Sequence, residues 1–225
     1  MSDYNATVKY WDKVFEQEAP STEAGKPFPF PMIENGLQWL CRDSQHLVDF
    51  GCGNGKVMLR CLALGVQKAL GIDVSKNAVS LANFTAHVNG MSERVSFLTG
   101  SISNLRVVEN DSVDAIILFN IVDNMIPRDV RLLLGEVKRI IKPEGRVLMK
   151  VNDLLRESNL IGNNEYEELG NGFYREASGL FLWNLSNDDI KSLVRPELEV
   201  EQASIVEFKQ YNARNRLFFL RSQCQ

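Results

Sequence analysis

Three glycines at alternate positions, Gly51, Gly53 and Gly55, stand in the segment DFGCGNG that runs from Asp49 to Gly55. The apolar run HLVDF leads into this segment, and the apolar stretch from Val57 to Leu64 follows it. Glycines so placed let the backbone turn sharply and let a ligand approach without a Cβ in the way. Asp73 closes the next apolar run, KALGID, 22 residues after Gly51. An acid at that distance suits the two hydroxyls of a ribose, so the pair of features reads as a site for an adenosine-containing cofactor. As a strand-end acid Asp73 is expected to lie outside the core, and its loss to leave stability nearly unchanged.

The glycine spacing discriminates between cofactors. A dinucleotide fingerprint, GxGxxG, requires its third glycine at position 56, and this chain has Lys56 there. A nicotinamide-dependent oxidoreductase is therefore disfavoured. Asp49, two residues ahead of the first glycine, sits poorly beside a pyrophosphate but can hold the amino group of a methionine moiety. In this motif, and motif by motif over residues 45–152, the sequence resembles the class I S-adenosylmethionine-dependent methyltransferases.

The resemblance implies a set of cofactor contacts. Asp49, Gly51, Cys52 and Gly53 fall in the cofactor loop, Asp73 in GIDVS matches the ribose-binding acid, and Val74 packs on the adenine. TGSI (99–102) lies where the family has its adenine-contacting loop. Many members carry an acid there, whereas this chain has Ser101, so Ser101 and Ile102 share the assignment. DSVDAIILFNIVDN (111–124) matches the fourth-strand motif, whose end faces cofactor and substrate and includes Asn120. The implied activity is methyl transfer from S-adenosyl-L-methionine, an in-line displacement at a sulfonium methyl. A general base is required only for an acceptor protonated at working pH. Asp123 and Asn120 are the candidates there, Asp123 as base and Asn120 as an orienting amide, against a plain reading of Asp123 as a helix-entry or solvated loop acid. The NPPY-type signature of amino methylation is absent, which argues against nucleic-acid or glutamine N-methylation of that kind. Two other readings remain: an aminopropyl transferase on the same fold, and a non-catalytic cofactor-binding or regulatory module.

Other chemistry-bearing residues fit bland roles. Cys52 reads as a small residue lending its backbone to the loop, since no histidine base lies near it in sequence. His87 falls on a polar helical stripe and His46 starts a strand. Tyr10 and Trp11 either close over the cofactor or simply pack. No carboxylate cluster suggests a catalytic metal.

The elements that must position these residues follow a rhythm. A short helix around Val8 to Phe15 precedes the extended KPFPFP, and a helix with Ile33, Leu37 and Leu40 on one face comes next. Strands are expected at 46–50, 68–73, 94–98, 113–119 and 146–151, with helices between them. Ser75 caps one of these, with Val79, Ala82 and Ala86 inward. Another carries Val130, Leu133, Leu134, Val137 and Ile141 on one face and stops at Pro143. Alternation of this kind implies an α/β three-layer sandwich, Rossmann-like, with a mainly parallel sheet. The family resemblance makes that sheet seven-stranded, its last strand antiparallel and inserted beside the fifth. Residues 153–185 break the rhythm, rich in Asn, Gly, Glu and aromatics; long irregular connections are often lids or binding loops, and the equal alternative is a structural hairpin covering the sheet edge. The FLWN run (181–184) within them reads as a strand edge, and Ser186 with Asp189 as a capping box before a further helix. The expected organisation is an arm and helix, 1–44, acting as a cap, then a methyltransferase domain, 45–225, with 153–185 as a substrate-cap insertion.

Composition sets the remaining bounds. The chain has 225 residues, 44% hydrophobic and 24% charged, which is globular composition. A net charge of −4 with no basic run argues against a nucleic-acid partner, whose affinity would come from phosphate contacts. Four scattered cysteines with no CxxC pair fit a reduced, cytoplasmic protein. No apolar run approaches the ~20 residues that span a bilayer, and no secretory h-region is seen. The expected partner is a small-molecule acceptor; oligomeric state is left open.

Overall fold

The computed structural model describes residues 4–160 and 162–223. In chain order these form α1 (Asn5–Glu16), α2 (Pro31–Cys41), β1 (His46–Phe50), α3 (Lys56–Ala63), β2 (Lys68–Asp73) and α4 (Lys76–Val88). β3 (Val95–Thr99), β4 (Val113–Phe119), α5 (Pro127–Ile140), β5 (Ile141–Asn152) and the single turn α6 (Glu157–Leu160) follow. The chain continues through β6 (Tyr166–Gly170), β7 (Phe173–Glu176), β8 (Phe181–Trp183), α7 (Asn187–Val194), β9 (Leu198–Phe208) and β10 (Ala213–Ser222).

Seven strands make one sheet in the order β3-β2-β1-β4-β5-β10-β9. The first five are parallel, and β10 runs antiparallel between β5 and β9, as the family resemblance implied. Alternation along the buried strands sends successive side chains to opposite faces, so each face has its own apolar layer. Val48, Ile116, Leu118, Val147 and Met149 pack with α5 and α7 on one side. Leu47, Ala115, Ile117 and Leu148 pack with α2 and α3 on the other. Among the described residues no helix is long and apolar enough to cross a membrane.

Several helix signals take physical form. Ser75 accepts the Ala78 N–H at 3.0 Å and caps α4, whose Val79, Ala82 and Ala86 are buried. Ser186 and Asp189 form the reciprocal box that opens α7. The boundary of α5 differs from expectation. The helix ends at Ile140, and Ile141 already belongs to β5, paired with Val113. Pro143, expected to mark the end of that helix, instead sits in the irregular start of the strand, where Glu144 takes φ 62° and the β4–β5 register shifts. Residues 153–185 are built on antiparallel hairpins, one of the two forms expected of them, and FLWN supplies β8. β6, β7 and β8 form a separate three-stranded antiparallel sheet with β8 at one edge.

Candidate active site

The glycine segment occupies the turn between β1 and α3. Gly51, Gly53 and Gly55 all have positive φ, 79°, 51° and 77°, a region that L side chains rarely enter. All three also lie under close neighbours, Gly55 beneath Ala82 and the Phe97 ring, each 3.2 Å from where its Cβ would fall. A Cβ on Gly51 would fall 2.1 Å from Ile121 Cδ1, and one on Gly53 would fall 3.2 Å from the Phe15 ring. Ile121 follows β4 and Phe15 belongs to α1, so the loop is bordered by the β4 end on one side and the N-terminal helix on the other.

Asp49 lies beneath this loop, 2% exposed. Among the described residues its carboxyl has no hydrogen-bond partner, and burial, then the charge of Asp73, push it up to about 8. Asp73 is also more enclosed than expected, at 8% exposure. Its Oδ2 accepts the Gly53 N–H at 2.8 Å and its Oδ1 accepts the Ser75 N–H at 2.9 Å. The expectation of an acid outside the core with no structural duty is therefore corrected: Asp73 ties the glycine loop to the N-terminus of α4. Each oxygen keeps a second lone pair for a hydroxyl. Burial raises this carboxyl, and the two backbone donors counter it.

The remaining sequence candidates are distributed around this centre. Cys52 is buried, its thiol pushed well up by burial, which suits a backbone role better than a nucleophile. Val74 is 37% exposed beside Asp73, as an adenine-packing position requires. Ser101 and Ile102 begin a short 3-10 turn after β3; the Ser101 N–H donates to Asn104 Oδ1 at 3.0 Å. Asn120 ends β4 with φ 54° and donates its amide to Asn152 Oδ1 at 3.2 Å. Asp123 is 2% exposed: Oδ2 accepts the Asn152 N–H at 2.7 Å, and Oδ1 is buried without a partner among the described residues. Burial pushes it up to about 6. That enclosure ties the β4–α5 connection to the end of β5.

Sequence reasoning did not single out four neighbours. Asp12 of α1 accepts the Ser75 hydroxyl at 2.6 Å, which pins the N-terminal helix to the start of α4. Phe15 covers Gly53, and Trp11 stacks on Phe15 with ring centroids 5.9 Å apart. Ile121 covers Gly51. Lys150, near the end of β5, places its ammonium 5.2 Å from the Phe119 ring and 5.8 Å from the Phe208 ring. Only Lys150 left a trace in the sequence, as the charged residue inside the apolar run RVLMKV. A cleft of about 790 Å³ opens past Asn152, walled by Leu155, Tyr166 and Leu182 from the inserted segment and by Lys209 and Arg214 around the β9–β10 turn. Tyr4 of α1 meets Phe181 edge-on at 5.7 Å, so the N-terminal helix touches the inserted sheet as well. No metal-holding cluster of His, Cys, Asp or Glu is present among the described residues.

A family model described as a methyltransferase domain matches residues 48–149, the span that holds the glycine loop, Asp73 and the β4 end. Over these residues, just under half of the chain, the match is to a methyltransferase domain, as the class I resemblance implied. Its curated relatives include the ribosomal protein L11 methyltransferase of Aliivibrio fischeri (strain MJ11), 26% identical over 113 residues, covering 50% of this chain and 35% of the relative. That of Hamiltonella defensa is 33% identical over 113 residues, covering 48% and 34%. The chain thus spans about a third of the length of these relatives. The methyltransferase fold extends further than the sequence match. A 1,6-didemethyltoxoflavin-N1-methyltransferase of Burkholderia thailandensis, crystallised with S-adenosylhomocysteine, superposes with TM-score 0.69 at 13% identity, covering 99% of this chain and 87% of that one. The PH0226 protein of Pyrococcus horikoshii OT3 gives TM-score 0.70 at 18% identity, covering 86% and 89%.

Proposed function

We propose that the chain transfers the methyl group of S-adenosylmethionine to a small-molecule acceptor. The observation that carries this reading is Asp49, a buried carboxyl without a partner beneath three positive-φ glycines. A buried carboxylate is costly unless paired, and the ammonium of a methionine moiety is a group of the right charge to complete it. Asp73 adds acceptor oxygens for ribose hydroxyls, and exposed Val74 an apolar face for the adenine.

When bound, the cofactor supplies a methyl carbon already activated by a positive sulfur. The protein's own part is then alignment, a proximity effect worth up to ~7–11 kcal/mol. Phe15 and Ile121 border the loop with apolar surface and keep water from it. Asn120 and Asn152, joined by their amides at the β4 and β5 ends, offer polar groups that orient an acceptor. The N-terminal helix and the inserted sheet meet at Tyr4 and Phe181, which supports a capping role for both around that acceptor. A small molecule is favoured because the cleft beside Asn152 is walled by the inserted sheet and because the chain has no basic run for nucleic acid. A protein acceptor is the second reading, favoured by the ribosomal-protein activity in the names of the curated relatives.

Calorimetry with S-adenosylhomocysteine and with NAD tests the cofactor: the first is expected to bind and the second not. Methyl-labelled cofactor incubated with separated metabolite and protein fractions tests the acceptor. Label appearing only in protein would favour the second reading, and binding of NAD alone would overturn the first.

A further inference from the structure

Lys150 is a cation in a place that does not solvate it well. It lies near the C-terminal end of β5, paired with Phe119 of β4 and Leu217 of β10. Its side chain shares a strand face with Asn152, two residues on. Burial holds its ammonium down to about 8, against the raising effect of the Asp123 charge. Among the described residues it makes no ion pair and no hydrogen bond. Its contacts are the ring faces of Phe119 and Phe208. Phe208 is itself held edge-on by Phe30 from the KPFPFP arm, ring centroids 4.7 Å apart. The amine therefore sits between aromatic walls, on the strand face of Asn152, a residue that lines the 790 Å³ cleft.

The sheet fixes how far this point is from the cofactor loop. β1 carries the loop, β4 lies beside it and β5 beside β4. At ~4.8 Å per strand, Lys150 stands roughly 10 Å across the sheet from the loop. A molecule of modest size spans that gap, with one end at the β4 terminus and the other at Lys150.

We propose that Lys150 determines acceptor specificity, its ammonium receiving a single carboxylate on the acceptor while the Phe119 and Phe208 rings flank that end of the molecule. The inference rests on the methyltransferase reading above and names the acceptor class: a compact organic monoanion. One fixed cation among aromatic rings balances one negative charge. A phosphate dianion would bring an uncompensated charge into the same apolar surroundings, which costs heavily. A cationic acceptor would meet like charge.

Benzoate serves as the probe, with benzylamine as its cationic counterpart, each titrated into protein saturated with S-adenosylhomocysteine. Binding is read from the carbon-13 signal of the lysine ε-methylene, assigned to Lys150 by its absence in Lys150→Arg. Benzoate is expected to shift that signal saturably, and benzylamine to leave it unmoved. In calorimetry, Lys150→Met is expected to weaken benzoate at least ten-fold and to bind S-adenosylhomocysteine like the parent. Lys150→Arg, which keeps the charge, should retain benzoate within a few-fold. Loaded protein that ignores benzoate, or Lys150→Met that binds it like the parent, overturns the proposal alone. Failure to load with S-adenosylhomocysteine overturns the cofactor reading, and this one with it.

Discussion

In the unfolded chain Asp49 ionises near the ordinary 3.8, whereas in the fold burial and Asp73 push it up to about 8. Between those two values the folded state holds the extra proton, so stability falls as pH rises through that window. The slope approaches ~1.4 kcal/mol per pH unit for one group. Asp49→Asn, which cannot ionise, should flatten that part of a urea-melt profile against pH. An ammonium beside Asp49 favours its charged form, so loading with S-adenosylhomocysteine at pH 7 should expel close to one proton. Calorimetry in two buffers of different ionisation enthalpy reads that number directly, and Asp49→Asn should bring it near zero. A parent protein that releases no proton would mean that the ammonium sits elsewhere. Asp73→Ala should weaken the same ligand ten-fold or more, and it should also cost stability, ~1–3 kcal/mol, by orphaning the Gly53 and Ser75 N–H groups. Spacing made Asp49 and Asp73 legible, because both lie at fixed offsets from the glycines. It said nothing of Asp73's two backbone partners, which come from the way the loop folds back on it. Phe15 and Ile121 were illegible as site residues for a related reason: each arrives through tertiary packing, and Lys150 showed only as a charge inside an apolar run.

At the scale of elements, the N-terminal arm is held by more than apolar contact. Glu34 of α2 and Arg60 of α3 form an ion pair with side chains only 9% and 11% exposed, Oε1 to Nη2 at 2.5 Å. Glu34 also accepts the Phe28 N–H at 3.0 Å, and Arg60 donates to Gly25 O at 2.8 Å. One pair thereby fastens both ends of the KPFPFP segment to the helix that follows the glycine loop. Removing one member leaves the other charge enclosed and unpaired, so Glu34→Ala should cost ~3–5 kcal/mol. Replacing both by apolar residues, Glu34→Leu with Arg60→Met, should restore much of that loss. Urea midpoints of the two variants decide it, and a single variant as stable as the parent would show the pair to be idle. The helices and parallel strands were readable here because apolar residues recur at helical spacing or run unbroken through a buried strand. Of the strands in the inserted segment only β8 was, in the FLWN run. β6, β7 and β8 are three to five residues long, and β6 has no fully buried side chain, so no stripe marks them. What holds them is cross-strand pairing and contacts such as Tyr166 edge-on to Tyr174, which no local pattern announces.

At the scale of the molecule, the sheet divides at β5. Strands β1, β2 and β3, and separately β4 and β5, form by successive βα steps between strands close along the chain, and the first three carry the glycine loop and Asp73; β1 meets β4 only across a long separation, as Leu47 on Ala115. The remaining two strands depend on one late event. β9 pairs only with β10 in this sheet, and β10 in turn docks on β5, whose partner residues lie more than 60 positions earlier, as Asn215 on Asn152. Pairings across such distances close large loops and are slow to form. Time therefore enters the architecture: amides shared by β1, β2 and β3 should be protected first, and those of the long-range β1–β4 and β5–β10 pairings last, in pulse-labelled hydrogen exchange during refolding. Simultaneous protection of all seven strands would show that the sheet closes in one step. Because Phe208 rides on β9, the aromatic enclosure of Lys150 belongs to the late half. A refolding chain would thus pass through a stage competent to hold a nucleoside yet without the wall that selects what the nucleoside is used on.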